Sequence, residues 1–130
     1  MTTTTTTAKT TICLSDSGPI SIVTADWPII ASASWHSGSH ECQANEVASV
    51  RVRAHADGRT IVYASRDRGP GGMPLGYRGK SAGFLVAHSR EHIEPQHARI
   101  IASIRRVAGA IGMPDLGSEA IADLPAVEVQ

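Results

Sequence analysis

The sequence predicts an α+β fold: an antiparallel sheet of about four to five strands, with one main C-terminal amphipathic helix on one face and short extra helices. Three observations predict it. Apolar and polar residues alternate on both sides of Asp57-Gly58, the pattern of a β-hairpin. Ile100, Ile104, Val107, Ala108 and Ile111 recur at the spacing of one helical face. Strand-like segments come first and helix-like segments last, which favours an antiparallel sheet with helices packed against it. With 130 residues, 42% of them hydrophobic, the chain suits one domain. Residues 1–10 read as a flexible threonine-rich tail and 11–130 as the domain.

The elements follow in order. Thr11-Ile12-Cys13-Leu14 reads as a first strand, with Cys13 a small core residue. Ser17-Gly18-Pro19 is a turn signal, and Ile20-Ser21-Ile22-Val23 reads as the partner strand. Asp26 is placed to cap a helix with Trp27 and Pro28 in its first turn, which predicts one or two helical turns over Ile29 to Ala33. Trp35 to His40 reads as a loop.

Val50, Val52 and Ala54 then alternate with Arg51, Arg53 and His55, and Thr60 to Ala64 returns after Asp57-Gly58. A two-residue turn would pair Val52 with Tyr63. It would also set Arg51, Arg53, His55 and Arg66 together on one exposed side. Residues 69–74, rich in glycine and proline, read as a loop. Ala82 to Ala87 gives another strand. A helix starts near Pro95 and ends at Gly112, with Pro114 beyond. Asp115 or Ser118 caps a last short helix that buries Ile121 and Leu124 and stops before Pro125.

The formal net charge is zero, but it is unevenly spread. Residues 51–90 hold eight basic side chains against Asp57 and Asp67, a net charge of +6, and the flanks carry the remaining acids. Clustered like charge calls for a neutralising partner, so the cluster predicts a binding surface. The candidate binding residues are Arg51, Arg53, His55, Arg66, Arg68, Tyr77, Arg78 and Lys80. Guanidinium forks match carboxylate and phosphate geometry, and Tyr77 offers a ring for stacking or for a pocket. The competing expectation is that these arginines pair with the chain's own acids, such as Glu91, Glu94 and Glu119.

Other constellations point less far. Gly76 to Ser81 ends in Gly-Lys-Ser, but Pro74 stands where a phosphate-binding loop has its first glycine, and a strand follows where that motif needs a helix. His36, His40 and Cys42 have ligand types suited to zinc or a thiol enzyme, without a fourth ligand at a recognisable spacing. His88 and His92, with His97 beyond, lack the order of a metalloprotease helix. No catalytic residue, metal or cofactor is assigned. No apolar signal segment follows the first residues and no run of about 18 apolar residues exists, so a cytoplasmic, non-membrane protein with reduced Cys13 and Cys42 is expected.

Four segments carry a resemblance: Trp27 to Ala33, Glu41 to Asn45, Val50 to Tyr63, and Ala120 to Pro125. In these the chain resembles small uncharacterised proteins of bacterial phages, plasmids and integrative elements. The resemblance implies a setting in which small proteins antagonise host defence, and so an anti-CRISPR protein. Its partner would be a host protein or ribonucleoprotein such as a CRISPR effector complex, occluded through the basic hairpin face. Direct nucleic-acid binding by that face is the alternative, and a metal or thiol enzyme on His36, His40 and Cys42 is a third. On this reading Arg51→Glu combined with Arg53→Glu abolishes activity and leaves folding intact.

Overall fold

The computed structural model describes residues 7–36, 46–68, 79–87 and 93–126. Its class is α+β, with two antiparallel sheets followed by two helices. Strands β1 (Lys9–Leu14) and β2 (Gly18–Val23) form a two-stranded ribbon. Strands β3 (Ile29–His36), β4 (Glu46–Ala54), β5 (Thr60–Arg68) and β6 (Lys80–Val86) form a four-stranded meander in sequence order. Helices α1 (Ile93–Ala110) and α2 (Pro114–Asp123) close the chain. Among the described residues no helix is long and apolar enough to cross a membrane.

β1 begins at Lys9, inside the stretch expected to be tail. Strand alternation sends Ile12 and Leu14 inward and leaves Cys13 exposed, so Cys13 is not the core residue expected. Gly18, at φ 87°, lets the chain turn into β2.

The helix expected over Ile29 to Ala33 is a strand. Asp26 ends a 3-10 turn (Thr24–Asp26) and caps nothing that follows. Beyond Pro28 the β-branched Ile29 and Ile30 favour extended backbone, and Ala31, Ala33 and Trp35 alternate with Ser32, Ser34 and His36 at period two. Trp35 and His36, expected in a loop, belong to this strand. The register on β4 shifts between Ile29 and Ala31, so Ile30 sits in a bulge.

One face of the meander carries Ala31, Val50, Val52, Val62 and Ala64, packed beneath Ile104, Val107, Ala108 and Ile111 of α1 and Leu116 and Ala120 of α2. α1 lies over β5 and β6, and α2 lies along β3. Gly112, at φ 74°, ends α1 where the sequence places its stop. α2 starts at Pro114 with no side-chain cap, and its Ile121 and the C-cap residue Leu124 are only partly buried.

The opposite face is covered over part of its area by the ribbon. Ile12, Leu14, Ile22, Trp27 and Ile61 form a second, smaller core there, with Ile20 and Tyr63 packed against it. Neighbours Ile61 and Val62 are both fully buried, each in a different core. Gly83 is where ribbon and sheet touch. Ser15 N–H donates to the Gly83 carbonyl at 2.8 Å, and Gly83 N–H donates to Ser15 Oγ at 3.1 Å. A Cβ at Gly83 would stand 2.7 Å from the Cys13 carbonyl oxygen.

Candidate functional site

The site is built by the turn between β4 and β5. His55 N–H donates to the Arg59 carbonyl at 2.8 Å, and Gly58 N–H donates to the His55 carbonyl at 2.9 Å. Gly58 takes φ 98°. The connection is therefore a tight turn followed by a left-handed glycine, with Ala56, Asp57 and Gly58 between the closing pair, and not a two-residue loop. Asp57 secures it. One carboxylate oxygen accepts the Arg59 N–H at 3.0 Å and the other accepts Arg59 Nε at 2.8 Å. The backbone N–H bond, aided by the Arg59 guanidinium, holds the Asp57 carboxyl below its ordinary pKa.

The one-residue difference reassigns every side chain of β5. Val52 pairs with Val62, Arg51 with Tyr63 and Arg53 with Ile61. Arg66 pairs with Ala48 and so lies on the helix side, opposite Arg51 and Arg53. There its Nε donates to Glu46 Oε2 at 2.7 Å and its Nη1 to the Ile111 carbonyl at 3.1 Å. The expected row of Arg51, Arg53, His55 and Arg66 on one exposed side does not form, because Arg66 leaves it and bonds internally. Lys80, exposed and paired with Arg66, is also on the helix side. Arg68 ends β5 opposite Glu46. Tyr77 and Arg78 lie outside the described residues.

Arg53 departs from expectation too. It is half-buried, with Nε donating to Tyr63 Oη at 2.8 Å and Nη1 to the Trp27 carbonyl at 3.0 Å. It therefore tethers the second core to the sheet, and the double glutamate variant would not leave folding intact. His55 is half-buried, its ring centroid 4.9 Å from that of Trp27, and its Nδ1 accepts the Asp57 N–H at 3.1 Å.

The Arg51 side chain is exposed, and it makes no hydrogen bond or ion pair among the described residues. It opens onto a groove of about 250 Å³ between β1 and the sheet, lined by Thr10, Thr11 and Cys13 on one side and Arg51, Arg53, Tyr63, Ser65 and Ser81 on the other. Pairing across the meander aligns Ser34, Ser49, Ser65 and Ser81, one serine per strand, on the face that carries Arg51. Ser49 Oγ lies 3.5 Å from Ser65 Oγ.

Among the described residues the groove lining contains two guanidinium groups and several hydroxyls but no carboxylate. Arg53 has only neutral oxygen partners, so its positive charge is not cancelled where it stands. Chemically this arrangement can hold an anion. Sequence reasoning missed Thr11, Ser65 and Ser81. A three-residue turn across Asp57-Gly58 would have brought Ser65 to the side of Arg51, whereas the approach of β1 has no local signal.

Of the proposed metal or thiol set, His36 is exposed at the end of β3, and His40 and Cys42 lie outside the described residues, as do His88 and His92. Among the described residues no three His, Cys, Asp or Glu side chains gather to hold a metal ion. The Gly-Lys-Ser of residues 79–81 enters a strand, not a helix, so it lacks the helix N-terminus that a phosphate loop uses. Comparison of the chain with protein-family models, curated proteins and solved structures finds no match.

Proposed function

We propose that the protein is a non-enzymatic binding module whose contact surface is the groove between β1 and the meander, centred on Arg51. The observation that carries this reading is the pairing of an exposed Arg51 with a half-buried Arg53 in a groove whose lining, among the described residues, holds no carboxylate. Uncancelled positive charge at a concave surface attracts an anionic partner. The resemblance to proteins of phages and mobile elements supplies the setting: an inhibitor, such as an anti-CRISPR protein, occluding a host nucleic-acid-handling complex.

Arg51→Glu is the decisive variant. The exposed Arg51 side chain makes no hydrogen bond or ion pair among the described residues, so reversing its charge is expected to leave the fold in place. In bacteria with an active CRISPR system, phage plating in the presence of the wild-type protein is expected to rise by orders of magnitude, and Arg51→Glu is expected to abolish that rise. Full protection of phage by a folded Arg51→Glu protein removes the groove as the contact surface. No protection by the wild-type protein removes the anti-CRISPR reading.

A further inference from the structure

Granting that the groove is the contact surface, its chemistry narrows what the partner presents. We infer that the groove receives a carboxylate side chain, Asp or Glu, from a partner protein. Arg51 and Arg53 stand at positions i and i+2 of β4, about 7 Å apart along the strand and on the same face. Tyr63 and the Trp27 carbonyl fix the Nε and Nη1 of Arg53, so part of its fork is already immobilised before a ligand arrives. Ser65 and Ser81 add hydroxyl donors beside the arginines, and Thr11 faces them from β1. Hydroxyl or guanidinium donors therefore line both walls of the groove.

Nucleic acid fits these features less well. Single strands are held by exposed aromatic rings together with an extended basic track. Here the Tyr63 hydroxyl accepts from Arg53 and its ring packs on the second core, while Trp27 is buried. Phe84 has the Arg106 guanidinium 4.2 Å from its ring centroid. Trp35 pairs with Ala48 and so belongs to the helix side. Among the described residues the ring beside Arg51 is that of Tyr63, half-buried and tied to Arg53, and it does not stand open for a base to stack on. Among the described residues the basic track is also broken, because Arg66 is committed to Glu46 on the opposite face. With zero net charge overall, the acidic flanks weaken any long-range pull on a polyanion. What remains is a compact two-arginine site suited to a discrete acid.

Three probes test this on the full-length, isotope-labelled protein followed by NMR: a capped hexaglutamate peptide, a twelve-residue oligothymidylate, and inorganic phosphate. The peptide is expected to shift the side-chain N–H signals of Arg51 and Arg53 and the amides of Ser65 and Ser81 saturably. Arg51→Gln should weaken this by about tenfold or more, as expected for a lost charge-assisted hydrogen bond. The oligothymidylate and phosphate should leave these signals in place at the same concentration. The inference is overturned if oligothymidylate or phosphate moves them as readily as the peptide, or if none of the three does. Loss of activity in Arg51→Glu without peptide binding would keep the contact surface and reject the carboxylate. Retained activity in Arg51→Glu would reject the surface itself.

Discussion

Arg51 and Arg53 are two residues apart on one strand and occupy opposite physical situations. Arg51 reaches into solvent, while Arg53 spends its donors on Tyr63 and the Trp27 carbonyl. Their identity and shared side of β4 were legible from alternation alone. Their division of labour was not, because Trp27 comes into range only when the chain preceding β3 folds back against the sheet. Removing Arg53 leaves a partly buried carbonyl without its donor and strips the methylene stem from the groove floor. Arg53→Ala is expected to cost about 1–3 kcal/mol of stability in urea unfolding, against little change for Arg51→Ala. Equal stability of the two variants would show that Arg53 is no tether. Cys13 teaches the same lesson at another position: alternation beside Ile12 and Leu14 was enough to place it outside, and its apolar neighbourhood in sequence was a misleading guide.

Among the elements, the β4–β5 turn decides most. Asp-Gly announced the hairpin correctly, but the same dipeptide serves two-residue turns and turns with a left-handed glycine after them. The choice between them sets which side of the sheet Arg66 and Ser65 occupy, and composition does not reveal it. The strand β3 was misread for a related reason. A capping residue followed by Trp-Pro imitates a helix start, and only the Ala/Ser alternation over residues 31–34 carries the period of a strand. α1 and its glycine stop were legible because a long amphipathic stripe is a strong signal. Asp57 gives the turn a pH signature. Its carboxyl is held below the ordinary value near 3.8, so the folded state favours the ionised form. The resulting stability is fully present above that ordinary value and is lost as the pH falls through the folded value. Asp57→Asn should therefore flatten the acid limb of the unfolding profile below about pH 4 and leave its slope near neutrality unchanged. Identical acid limbs in the two proteins would contradict the assignment.

Over the whole molecule, the four-stranded meander is a wall between two cores of unequal size. Among the described residues, fifteen buried ones gather on the helix side and five on the ribbon side. The helix-side core was foreseeable from periodicity in α1 and β4. The ribbon-side core was not, since it joins Ile12, Leu14, Ile22 and Trp27 to Ile61, far along the chain, through the approach of β1 to the sheet at Gly83. That approach leaves no room for a side chain. Gly83→Ala sets a methyl against the Cys13 carbonyl and Tyr63, and overpacking of this kind costs about 1–3 kcal/mol. In a Trp35→Phe background, where Trp27 is the sole tryptophan, Gly83→Ala should red-shift fluorescence as the ribbon lifts and Trp27 becomes hydrated, with the helical circular dichroism retained. An unshifted spectrum would mean that the ribbon absorbs the methyl without moving.

The unequal cores bear directly on the groove, because its β1 bank rests on the smaller core alone while the sheet opposite also carries the larger one. The bank supplied by β1 rests on the lesser store of buried apolar surface and opens at lower free energy than the sheet opposite. An acid seated between them would be a clasp as well as a cargo, lending the ribbon some of the firmness of the meander.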